Sequence, residues 1–264
     1  MGKVIAVTNQ KGGVGKTTTA INLAASLAVS DIRVLLIDSD PQGNATSGLG
    51  ISKSSDRPSL YHVLLGEYEL DAAVIKSELE GLFVVTSDKN LIGANLELVP
   101  VAERELRLRH KIAQVKDQYE FILIDCPPAL DLLTLNALMA ADSVLIPIQC
   151  EFFALEGISE LIATIDRIRE TLQHPLAIEG ILLTMFDDRT NLTRQVAADL
   201  REFFGNDVLQ TVIPRSVRLA EAPSHGKPIL TYDLRSRGAE SYIQLAKEIL
   251  DRDHAKRKSA QSVG

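Results

Sequence analysis

Tryptophan is absent from this chain of 264 residues, and aromatic residues make up only 5% of it. A core without large aromatics must be filled by aliphatic side chains, and apolar residues, at 45%, are plentiful enough. Cysteine is almost missing too, with only Cys126 and Cys150. Two lone cysteines make no disulfide framework, so the expected compartment is a reducing cytoplasm. No apolar run approaches the ~18 residues that span a bilayer. Met1-Gly2-Lys3 leads directly into apolar residues, so no signal peptide is expected, and the Ser or Thr of a myristoylation signal is lacking. Positive charge is not in excess. The net charge of −7 argues against a protein dedicated to coating nucleic acid, yet it leaves room for a local basic patch. Repeats, low-complexity segments and linkers are also missing. The expectation is one domain over 1–252, followed by a disordered polar tail over 253–264 carrying Lys256, Arg257 and Lys258.

What is present begins at Val4. Val4-Ile5-Ala6-Val7 suits a buried strand, and Ala20, Leu23, Ala24 and Leu27 recur at helical spacing. Between them lies Asn9-Gln10-Lys11-Gly12-Gly13-Val14-Gly15-Lys16-Thr17-Thr18. Strand, glycine loop and helix together make a phosphate-binding loop. Backbone N–H groups of Gly12, Gly13, Val14 and Gly15 close around phosphate oxygens, and the helix start adds its positive dipole end. Lys16 supplies a charge for the β- and γ-phosphates, the Thr17 hydroxyl a ligand for Mg²⁺, and Thr18 further nucleotide contact. ATP and Mg²⁺ are therefore the expected cofactors.

Two further apolar strands end in carboxylates, Arg33 to Asp38 and Phe121 to Asp125. In a doubly wound, mainly parallel sheet flanked by helices, such strand ends face the ligand, and Asp125 suits a Walker B contact to Mg²⁺ through its water shell. For Asp38 and Asp40 the alternative is a turn or helix cap. Helical spacing is read over 60–65, 91–99, 103–115, 158–172, 191–204 and 238–250, and strands over 82–86, 143–148, 178–186 and 211–216. The basic run Arg104, Arg107, Arg109, His110 and Lys111 reads either as a solvated helix face or as a surface for nucleic acid or a partner.

K-G-G-V-G-K-T, with Gln10 in place of the first glycine and Lys11 added, resembles the deviant Walker A loop of the ParA/MinD group of ATPases. D-S-D-P-Q-G-N resembles its switch I, D-C-P-P-A-L its switch II, and E-F-F-A-L-E-G and E-A-P-S-H-G-K-P two further segments. The resemblance covers nearly the whole chain. It implies that Lys11 reaches the nucleotide of a partner subunit, that Asp40 orients the attacking water, and that Asp38 fixes the loop. Lys11, Lys16 and Asp40 are then the catalytic set. It also implies that Pro214 and Ser216 border the adenine, although the family usually has Asn at 216.

Arg189 and Arg218 match DNA-binding positions of the short chromosomal, Soj-type members. Their alternative is ion pairing with Asp187, Asp188 and Glu221 on a solvated face. The implied cycle is an ATP-dependent homodimer that binds double-stranded DNA without sequence preference. A ParB-like centromere-binding protein then stimulates an otherwise weak ATPase. The implied place is the nucleoid within the cytoplasm. A membrane role of the MinD kind is opposed by a tail that lacks bulky apolar residues. A metabolic ATP-dependent enzyme on the same fold is the other rival. Its cluster-bearing form is opposed by the two cysteines, which read as buried free thiols.

Overall fold

The computed structural model describes residues 2–53 and 56–262. Residues 54–55, in a polar stretch of the chain, and the last two residues of the tail lie outside them. In chain order the elements are β1 (Lys3–Val7), α1 (Lys16–Ala28), β2 (Val34–Asp38), α2 (Asn44–Gly48), α3 (Leu60–Leu65), β3 (Val74–Lys76), β4 (Leu82–Val85), α4 (Leu91–Glu97) and α5 (Arg107–Ala113). They continue with β5 (Phe121–Asp125), α6 (Leu132–Ala140), β6 (Ser143–Gln149), α7 (Ala154–Thr171), β7 (Ala177–Phe186), α8 (Asn191–Phe204), β8 (Val208–Pro214), α9 (Val217–Glu221), α10 (Ile229–Tyr232) and α11 (Arg237–Ser262).

The strands form one sheet in the order β3-β4-β2-β5-β1-β6-β7-β8. All neighbours are parallel except the edge pair β3 and β4. The central strands are buried on both faces, which is why their sequences read as unbroken apolar runs. Side chains alternate between two core layers. Val4, Ala6, Leu35, Ile37, Ile122 and Ile124 face α3–α8, whereas Ile5, Val7, Val34, Leu36, Phe121 and Leu123 face α1 and α11. The doubly wound fold expected from the sequence is the one observed.

Short helices α2, α9 and α10 fall outside the expected elements, and α5 is shorter than the helix read over 103–115; three further differences have a clear physical reason. Helix α6 escapes periodicity because Leu133, Ala137, Leu138 and Met139 are all buried, leaving no polar stripe to mark a face. Its signal is the cap Asp131, whose carboxylate accepts from Leu133 N and Thr134 N at 3.1 Å. Strand β3 is three residues long and lies at the edge, too short for a pattern.

The last helix continues to Ser262, past the end expected at Leu250, where a disordered tail was anticipated. Charges hold the extension at the end of the strands opposite the glycine loop. Lys3 Nζ lies 2.7 Å from Glu179 Oε2 and 3.3 Å from Asp253 Oδ1, and Arg257 pairs with Asp253 at 2.7 Å. Ser143 Oγ also donates to Glu179 at 2.9 Å. The Glu179 side chain is fully buried. Glu179→Ala should therefore cost folding stability, though less than the ~3–5 kcal/mol of a buried charge left wholly unpaired, because Lys3 would lose its nearer carboxylate and keep only Asp253. A chemical-denaturation midpoint equal to the parent's would contradict this account of the clasp. Among the described residues, no helix is long and apolar enough to cross a membrane.

Candidate nucleotide site

Asp38, Asp125 and Val7 stand side by side at the carboxyl ends of β2, β5 and β1. The loop after Val7 is the glycine loop, so sheet register alone brings the carboxylates beside it. Gly13 and Gly15 take left-handed φ values of 77° and 87°, which L side chains rarely adopt. Gly15 is also the residue that opens α1. Gly12 is different: its φ is not positive, and a Cβ there would meet nothing within 4 Å. Lys16 Nζ folds back to donate to the Lys11 carbonyl at 3.0 Å, and Asn9 Oδ1 accepts from Lys11 N at 3.0 Å. The Lys11 ammonium, by contrast, turns away from its own loop and pairs with Glu151 at 2.5 Å.

Electrostatics around the loop are dominated by burial. Asp125 is wholly buried, and neither carboxylate oxygen completes a hydrogen bond within the protein. Burial, with the Asp38 charge adding to it, pushes its pKa well up; the Thr17 hydroxyl and the Lys16 charge pull back only in part. Asp38 is pushed up to about 6, chiefly by burial and against its hydrogen bonds from Thr46. Burial lowers the Lys16 pKa, while Asp125, Cys126 and Asp40 raise it. The site thus holds a buried ammonium among buried carboxylates, with unsatisfied oxygens at Asp125. A hydrated divalent cation fits that donor set. Both cysteines are free and buried, and burial pushes the Cys150 thiol up to about 11 and the Cys126 thiol higher. These are inert thiols.

On the other side of the loop lies a cleft of about 200 Å³ lined by Gly15, Thr18, Thr184, Met185, Pro214 and Ser216, among others. Pro214 and Ser216 are therefore brought to the glycine loop. The Ser216 hydroxyl, however, accepts from Leu219 N at 3.4 Å and caps α9, so its side chain is occupied. Sequence reasoning missed three residues here. Thr184 Oγ1 donates to the Val14 carbonyl at 2.8 Å and ties β7 to the loop. Met185 adopts a φ of 48°, uncommon for a side chain with a Cβ and typical of strained positions at binding sites. The third is Glu151, the partner of Lys11. Glu151 lies in a segment that the sequence marks, but its pairing with Lys11, like the bond from Thr184 to Val14, joins stretches of chain more than a hundred residues apart.

Asp40 is buried beside the loop, its Oδ1 accepting from Gln42 N at 2.8 Å. Arg189 and Arg218 lie elsewhere, on the loop after β7 and on α9. Both are exposed and both are paired: Arg189 with Asp187 at 2.7 Å, Arg218 with Glu221 at 3.1 Å and Asp233 at 3.5 Å. Hydrogen bonds from Arg189 hold the Asp187 carboxyl down at about 2. The ion pairs anticipated as the alternative are thus present in this chain.

Fold and site define a P-loop nucleoside triphosphatase with a second lysine on its phosphate loop. The match to known proteins is more specific. Residues 2–178 match the AAA_31 family, described as an AAA domain. The chain is 55% identical to the sporulation initiation inhibitor protein Soj of Bacillus subtilis, over 94% of this chain and 98% of that one. It is 50% identical to the chromosome partitioning protein ParA of Caulobacter vibrioides, over 98% and 97%. Among solved structures, the cobyrinic acid a,c-diamide synthase of Mycobacterium smegmatis, solved with an ATP analogue and magnesium, is 35% identical. It covers 98% of both chains with a TM-score of 0.85. The chain belongs to the ParA/Soj family of P-loop ATPases.

Proposed function

We propose that this protein is a chromosome-partitioning ATPase that uses Mg-ATP to form a DNA-binding homodimer. Lys16 and the loop amides of residues 12–18 hold the phosphates. Thr17 and Asp125 would hold Mg²⁺, which would supply positive charge to the phosphates and to the buried Asp125 carboxylate. Asp40 orients the attacking water, and Asp38 fixes the Asp40 loop. The adenine sits between Pro214 and the backbone of Ser216, since the Ser216 hydroxyl is committed to its cap. The observation that carries the reading is Lys11. Its ammonium leaves its own loop for a partly exposed pair with Glu151, which supports a role for it at a second nucleotide site. Such a pair is worth little and is readily exchanged for a phosphate.

Single-domain construction, nucleoid placement in the cytoplasm and stimulation of a weak basal ATPase by a ParB-like protein belong to the same reading. The rival, an ATP-dependent metabolic enzyme, rests on the 35% identity to the synthase. It predicts no link between ATP and DNA.

The experiment is DNA binding by the ATP-bound dimer. Arg189 and Arg218 give up half-buried carboxylate partners to take phosphates, and pairing two copies doubles the contacts. If the dimer neutralises about 4–6 phosphates, log K should fall against log[salt] with a slope of about −4 to −5. Scrambled duplexes should bind equally well, since phosphates carry no sequence. Arg189→Glu and Arg218→Glu variants that still dimerise should lose most of this affinity. Undiminished binding in both would remove these residues from the DNA surface.

A further inference from the structure

The loop that carries Asp40 is closed into a ring by a residue outside every motif. Thr46 N and Thr46 Oγ1 both donate to Asp38 Oδ2 at 2.7 Å. Thr46 Oγ1 in turn accepts from Ser87 N at 3.0 Å. Ser87 Oγ donates to the Asp40 carbonyl at 2.7 Å, and Asp40 N donates to Asp38 Oδ1 at 3.3 Å. The circuit Asp38–Thr46–Ser87–Asp40 thus returns to its start. Asp38, Thr46 and Ser87 are 0% exposed and Asp40 8%, so water does not compete for these bonds. The packing is equally close: a Cβ on Gly43 would stand 2.7 Å from the Ser87 carbonyl oxygen.

We infer that Ser87 is a positioning residue for ATP hydrolysis, with Thr46 as its relay. The inference rests on the water-orienting role given to Asp40. The ring holds Asp40 by both its N–H and its C=O, so the carboxylate starts from a fixed main chain before any nucleotide arrives. Ser87 sits just past the end of β4, a strand of the sheet, and so ties the Pro-Gln-Gly loop to the core. Without its hydroxyl, the Asp40 carbonyl loses a buried donor and the loop gains freedom. A water held by a carboxylate is sensitive to that: a misplacement of about 1 Å costs on the order of 100-fold in rate. Ground-state binding of the nucleotide does not pass through the ring, because the glycine loop and Lys16 supply it.

The test is a double-mutant cycle in single-turnover hydrolysis of Mg-ATP, run well below every variant's unfolding midpoint. Ser87→Ala should lower the rate about 10- to 100-fold. Nucleotide affinity should stay within about two-fold of the parent's. Thr46→Val breaks the ring at a second point and should behave alike. Ser87→Thr keeps the hydroxyl and should keep the rate. In an Asp40→Ala background, Ser87→Ala should cause no further loss, since the group it positions is gone. An equal loss in both backgrounds, a loss that follows nucleotide affinity, or a parental rate for Ser87→Ala would each overturn the inference. If Asp40→Ala is slow while Ser87→Ala is not, only the ring fails. If Asp40→Ala itself turns over at the parental rate, the role of Asp40 fails and the ring's role with it.

Discussion

Lys16→Ala should fold as the parent does and bind Mg-ATP at least about 100-fold more weakly. Three carboxylates, Asp38, Asp40 and Asp125, are buried beside the glycine loop. A triphosphate entering there meets their repulsion, and Lys16 is the buried ammonium that offsets it. Its ammonium donates to the Lys11 carbonyl, a partner that phosphate oxygens readily replace. Truncating one side of a buried, hydrogen-bonded charge pair typically costs 2–5 kcal/mol, and about 1.4 kcal/mol is ten-fold in affinity. The residual binding would come from loop amides and the helix dipole. Calorimetric titration is the check, with circular dichroism to confirm the fold. An affinity equal to the parent's would contradict the phosphate-loop assignment.

Gly12→Val should bind ATP, keep the parent's thermal midpoint, and yet abolish the ATP-dependent dimer. Gly13 and Gly15 need their left-handed φ, whereas Gly12 has no such need and its Cβ would enter open space. Nothing inside one chain requires a glycine there. A requirement can only come from outside, where two phosphate loops would approach each other and Lys11 would cross. A β-branched side chain at that point would hold the two loops apart. Size-exclusion chromatography with light scattering in Mg-ATP measures the outcome. A normal dimer peak would contradict a face-to-face arrangement and leave Lys11 without its proposed role.

Much of the fold is legible in the sequence because buried parallel strands and a glycine loop are local signals. The runs ending at Val7, Asp38 and Asp125 mark three central strands by composition alone. Thr190, which caps α8, and Gly66, which ends α3 at a φ of 85°, mark helix ends in the same local way. What escapes is whatever depends on tertiary environment. Helix α6 is apolar all round because both its sides are covered. The extension of α11 depends on Lys3 and Glu179, which lie far away in the chain. In the site, the glycine loop, Lys16, Asp40 and Asp125 are readable from pattern. Glu151, Thr184 and Ser87 are not, since each gains its meaning from a contact that spans from 47 to 170 residues of sequence. Ser216 shows the opposite case. The departure from the family residue is visible in sequence, but its consequence, a hydroxyl spent on capping α9, needs the structure.

The central claim is that ATP switches this protein between a free and a DNA-bound state. The most direct measurement is co-sedimentation with random-sequence duplex DNA in Mg-ATP, in Mg-ADP and without nucleotide, at one fixed salt concentration. The account predicts that the protein pellets with DNA in Mg-ATP alone. Equal pelleting in all three conditions, or none in any, would contradict it.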